Sequence, residues 1–104
     1  MAGEGTIHVD IPYDILSRFA ERWSITSLAL FGSVLRNDFD AHSDIDVLVS
    51  FLPDSEIDLL DMIEMKNELE TIFHRPVDLV EREALTNPYR RREILANNRV
   101  IYAA

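Results

Sequence analysis

Gly32-Ser33 and, ten residues further on, Asp44-Ile45-Asp46 are the residues of this chain whose types and spacing suit chemistry. A glycine lets the backbone turn sharply and approach a phosphate closely. Ser33 would then set its hydroxyl and amide at the start of a helical segment, where anions are favoured. A strand presents residues i and i+2 on one face, so Asp44 and Asp46 project side by side while Ile45 and Val47 turn towards a core. Two carboxylates held that close repel each other unless a cation lies between them. Acids next to a run as apolar as Val47-Leu48-Val49 are costly when unpaired, and metal binding is the economical reason to keep them. The pattern suits nucleotide chemistry on a divalent metal.

Other residues extend or dilute this picture. Asp78, one acid within Pro76-Val77-Asp78-Leu79-Val80, supplies a third carboxylate if its strand lies beside that of Asp46; otherwise it is an exposed edge-strand acid. Arg36, one helical turn beyond Ser33, reads equally as a phosphate ligand with a guanidinium fork and as a surface ion-pair partner. Ser43 either caps the strand entry or helps to orient the first carboxylate. His42 reads as a solvated loop histidine beside the acids, and His8 and His74 have less claim to a role. Arg90-Arg91-Arg92 reads first as a solvated helix face, with a partner or phosphate contact as the sharper alternative. Trp23 reads as core rather than as a base-stacking platform.

The elements that must position these residues fit one small unit. The 104 residues accommodate a single domain over 1–104, with residues 1–6 as a flexible terminus. There is no cysteine, so a metal must be held by oxygen or imidazole, and hard cations such as magnesium are expected. A net charge of -9 repels a phosphate backbone, which argues against autonomous nucleic-acid binding and for a basic protein partner. No apolar run reaches membrane-spanning length and the polar, acidic start lacks a signal pattern, so a cytoplasmic location is expected.

A first helix is predicted from Asp10 as N-cap, with Pro12 in its first turn and Ile11, Ile15, Leu16, Phe19 and Trp23 facing inward. A strand over Ser27–Phe31 ends at the Gly32-Ser33 turn, a short helical segment runs to Arg36, and a second strand spans Asp44–Phe51. Ser55 to Asp58 resembles a capping box opening a helix to Phe73. Its stripe of Leu59, Leu60, Ile63, Leu69, Ile72 and Phe73 is expected inside, and Glu56, Glu64, Lys66, Glu68 and Glu70 outside. Met62 and Met65 read as core filler or partner contacts. A third strand over Pro76–Val80, a helix over Glu83–Asn97 and an edge strand or docking tail at Val100-Ile101-Tyr102 complete the chain.

The string Leu30-Phe31-Gly32-Ser33-Val34-Leu35-Arg36, with Ser43-Asp44-Ile45-Asp46-Val47-Leu48-Val49, resembles the nucleotidyltransferase superfamily related to DNA polymerase beta, and within it the minimal (MNT) branch. The resemblance extends through the Asp78 strand to Asn87-Pro88-Tyr89-Arg90. It implies an α/β (α+β) fold with a small mixed sheet and helices mainly on one face. It also implies magnesium, in a two-metal site, at Asp44, Asp46 and Asp78, and a nucleoside triphosphate at Gly32-Ser33. Branch members are often antitoxin partners of HEPN-domain ribonuclease toxins, silencing the toxin by moving AMP from ATP onto one of its tyrosines. Asn37 departs from the family, which usually has glycine after the arginine; asparagine tolerates a left-handed backbone better than most residues.

A nucleotidyltransferase needs an acceptor site, and little chain remains once a sheet and its covering helices are built. The acceptor surface is therefore expected from another polypeptide. Two alternatives stand beside protein adenylylation: transfer to a small acceptor of aminoglycoside type, in a pocket shared by a dimer, and a non-catalytic immunity module that masks a basic toxin by charge.

Overall fold

The computed structural model describes residues 9–36 and 38–104. The expectations for the terminus over 1–6, for His8 and for Asn37 lie outside the described residues.

Four strands form one mixed sheet in the order β3-β2-β1-β4. They are β1 (Ile25–Phe31), β2 (Ile45–Phe51), β3 (Val77–Glu81) and β4 (Asn98–Ala103). β1 runs antiparallel to both of its neighbours, and β2 runs parallel to β3. A parallel pair requires a crossover, and α2 (Leu59–Phe73) provides it. The expected edge strand at Val100–Tyr102 is β4.

Alternation along β2 divides the molecule. Ile45, Val47 and Val49 are fully buried and pack with Leu28 and Leu30 of β1 against α1 (Tyr13–Arg22) and α2. Leu16 and Phe19 of α1 and Met65, Leu69 and Phe73 of α2 fill this layer. On the opposite face Ala29, Phe31 and Leu48 form a smaller cluster with Leu85 and with Ile94 of α3 (Pro88–Ala96). Two helices thus cover one face of the sheet and the third lies on the other.

Several boundaries differ from the sequence expectation. α1 begins at Tyr13, not after Asp10, because Pro12 takes a non-helical conformation and no side chain caps the turn; its buried face is Leu16, Phe19 and Ala20, which leaves Ile15 facing solvent. The capping box of α2 is built by Asp58 and Asp61, whose carboxylates each accept the other's backbone N–H at 2.9 and 3.1 Å. Ser55 instead donates its hydroxyl to the Leu52 carbonyl. Leu59, Leu60 and Ile63 are exposed, whereas Met62 packs against the core and Met65 is fully buried. Glu68 and Glu70 are half-buried rather than solvated. Glu68 pairs with Arg22 and accepts from the Trp23 indole at 3.3 Å, which places Trp23 against the core as expected. The last helix does not run from Glu83: a 3-10 turn over Arg82–Ala84 precedes an extended stretch, and α3 starts where Asn87 caps it ahead of Pro88.

Candidate active site

β1 delivers Gly32 to the site. Its final residue, Phe31, pairs in register with Asp46 of β2, so the turn that follows lies directly over that carboxylate. Gly32 has φ +76°, and a β-carbon there would collide with Asp46 Oδ2. No other residue type combines this left-handed backbone with such an approach at low cost. The 3-10 turn Gly32–Leu35 is pinned by Val34, which is fully buried in the main core. Ser33, on the same turn, directs its hydroxyl towards the Asp44 carbonyl at 3.5 Å.

The parallel pairing of β2 and β3 sets Asp78 in register with Asp46. Asp44 precedes β2 and is exposed, Asp46 is half-buried, and Asp78 is exposed on the same rim. Burial raises the Asp46 carboxyl above its ordinary range, and the charges of Asp78 and then Asp44 raise it further, while Arg36 and Arg90 oppose the shift. The three acids expected to act together therefore share one electrostatic neighbourhood. Among the described residues no three carboxylate or imidazole groups converge as they would around a single ion.

The approach to Asp44 is braced. Ser43 accepts the Asp40 backbone N–H at 3.1 Å and donates to the Asp40 carboxylate at 3.3 Å, so its hydroxyl serves the loop rather than the acid pair. His42 is exposed, with its backbone N–H donated to Asp40. Arg75 clamps this loop from the start of β3, donating to the carbonyls of Asp40 at 2.8 Å and Ser43 at 3.1 Å while stacking 4.4 Å from the Phe39 ring centroid. Sequence reasoning missed Arg75, since a clamp between residues more than thirty apart leaves no local pattern. His74 ends α2 in a left-handed cap and is exposed.

Arg36 pairs with Asp38 at 3.3 Å, the ion-pair reading, yet it also lines a cleft of about 600 Å³ beside Gly32. Arg90, Arg99 and Glu93 line the same cleft, so the exposed Arg90 borders the Gly32 turn.

The sheet and its covering helices match what is found among known proteins. A profile for the nucleotidyltransferase domain matches residues 13–101. The chain belongs to the nucleotidyltransferase family. This nucleotidyltransferase is 36% identical over 74 residues to a Methanocaldococcus jannaschii protein proposed to be a protein adenylyltransferase, an alignment covering 71% of this chain and 74% of the relative. In fold it is similar to a toxin-antitoxin complex solved with AMP-PNP, with a TM-score of 0.72 at 17% identity over 90% of this chain and 75% of that one. It is also similar to a chain from the complex of a tri-AMPylated Shewanella oneidensis HEPN toxin with its MNT antitoxin, with a TM-score of 0.64 at 17% identity over 88% and 70% of the two chains. The mixed sheet expected from the sequence is the fold these structures share.

Proposed function

We propose that this nucleotidyltransferase is an antitoxin that moves AMP from ATP onto a tyrosine of a cognate HEPN-domain toxin and so neutralises it. The observation that carries the reading is the contact of the Gly32 turn with Asp46, itself in register with Asp78. A backbone able to approach a phosphate thus adjoins carboxylates that gain from a cation. The relative's name, protein adenylyltransferase, and the toxin complexes among its fold neighbours support a protein acceptor. So does the net charge of -9, which suits a basic protein.

Asp44, Asp46 and Asp78 would hold magnesium. Their hard carboxylate oxygens, crowded along one rim, suit a divalent cation of this kind. When bound, magnesium supplies Lewis-acid stabilisation of charge on the phosphates. Gly32 gives the triphosphate room, Ser33 offers its amide and hydroxyl, and Arg36 stands at the outer phosphates. Ser43 holds the loop that presents Asp44. In the reaction the tyrosine oxygen bonds to the α-phosphorus, the bridging bond to the β-phosphate breaks, and its electron pair leaves with pyrophosphate. A rim carboxylate accepts the tyrosine proton. ATP and a toxin of this class meet in the cytoplasm, where the protein would act.

The test is direct. The protein is incubated with ATP, magnesium and the protein encoded beside its gene, and intact mass is recorded. Addition of AMP units to the neighbour is expected. Absence of any addition under all metal conditions, or equal neutralisation by a variant carrying Asp44→Asn and Asp46→Asn, would refute the proposal and favour masking by charge.

A further inference from the structure

The cleft beside Gly32 is cationic in a chain that carries nineteen acidic and ten basic residues. Arg36 approaches it from the turn and Arg90 from α3, with Glu93 as a carboxylate on its wall. Arg90 is placed by structure rather than by chance. Asn87 accepts the backbone N–H groups of Tyr89 and Arg90 at 3.0 and 3.1 Å, fixing where α3 begins. Ile94, four residues later and so on the same helix face, is buried against the sheet with Ala29, Phe31 and Leu48. Arg90 therefore leaves α3 on the side of the cleft, where it is exposed, and its charge is felt at Asp46. Arg36 is engaged by Asp38, but no salt bridge joins Arg90 to a carboxylate among the described residues. A guanidinium that makes no salt bridge among the described residues and lines a cleft beside a glycine turn is suited to an anionic ligand of polyphosphate type.

We propose that Arg90 binds the β- and γ-phosphates of the nucleotide, and the departing pyrophosphate, in this cleft, which Arg36 also lines. The assignment rests on the nucleotidyl-transfer reading above and adds to it a residue from the helix across the cleft. It makes α3 the wall that holds the leaving group while the acid rim faces the α-phosphate. As the Pα–O–Pβ bond breaks, negative charge grows on pyrophosphate, and a guanidinium already in place stabilises that charge without reorganising.

Isothermal titration with MgATP, with pyrophosphate and with AMP tests this on the full chain. Variants are Arg90→Gln, Arg90→Lys and, as an exposed control on the same helix, Arg92→Gln. Arg90→Gln should weaken ATP and pyrophosphate about ten- to hundredfold while leaving AMP unchanged, as expected for losing a charge-assisted contact. Arg90→Lys should recover part of the loss and Arg92→Gln should match the wild type, with unchanged circular dichroism and melting for all three. If folded Arg90→Gln binds pyrophosphate as the wild type does, the assignment is wrong though nucleotidyl transfer stands. If the wild type binds ATP yet modifies no protein, the acceptor reading fails and the titrations still decide Arg90. A wild type that binds neither ATP nor pyrophosphate overturns both.

Discussion

Two carboxylates on opposite sides of the sheet are pushed in opposite directions. Glu70, on α2, accepts the Val77 backbone N–H and the Lys66 ammonium, each at 2.9 Å, and these bonds hold its carboxyl below the ordinary range. Asp46, on the α3 side, is pushed up by burial and by the charges of Asp78 and Asp44. The face with two helices satisfies its charges and uses them to join α2 to β3. The face with one helix crowds like charges beside a glycine turn, and only a cation or proton relieves them. One face fixes positions; the other holds a tension that chemistry can use.

The most severe way to break this comparison is Asp46→Asn. AMP transfer should fall by about a thousandfold or more, the scale expected when a group that stabilises transition-state charge is lost. Melting should hold or rise, because a repelling, half-buried charge is removed. The sign follows from the raised carboxyl: the folded chain binds that proton more tightly than the unfolded chain, whose value is 3.8. The associated stability is present below that value and is lost as pH rises through the folded one. The variant should lack this component of the pH–melting curve. Thermal scans across pH check it, and a large drop in melting would make Asp46 structural.

Leu69→Ala probes the other face. Leu69 is buried between α2 and the sheet, and its truncation should cost about 2–5 kcal/mol in urea unfolding. Activity per folded molecule should persist. Gly32→Ala joins the two effects: a left-handed backbone and a collision with Asp46 Oδ2 should cost about 1–3 kcal/mol. Its transfer rate should fall far more than this loss of stability implies, because the turn must move off the carboxylate.

Much of the molecule was legible because it is periodic or short-range. Alternation in Ile45-Asp46-Val47-Leu48-Val49 announced both a strand and its two faces, and Gly32-Ser33 with two acids announced the site. Asp78 was legible only conditionally, since its register with Asp46 depends on the crossover between Phe51 and Val77. The exposed Leu59, Leu60 and Ile63 misled because helical spacing fixes which residues share a face but not how far the core extends beneath it. Arg75 was hidden for a related reason: a loop clamp arises from contacts between distant segments. α3 starts later than Glu83 because Arg82–Ala84 form a separate 3-10 turn and Asn87 caps the helix ahead of Pro88.

The mildest perturbation sharpens the comparison most finely. Glu70→Gln keeps an oxygen able to accept the Val77 N–H but removes the charge that attracts Lys66. The wild-type carboxyl lies below its ordinary value of 4.5, so its stabilisation is present above that value and is lost as pH falls through the folded one. The variant should therefore melt slightly below the wild type at neutral pH, and the gap should close on acidification. Because the Lys66–Glu70 pair keeps part of its surface in solvent, the gap should also narrow with added salt. Transfer of AMP should be unchanged. A gap that survives both acid and salt would mean that the clamp acts through shape rather than charge, and the electrostatic contrast between the two faces would then rest on Asp46 alone.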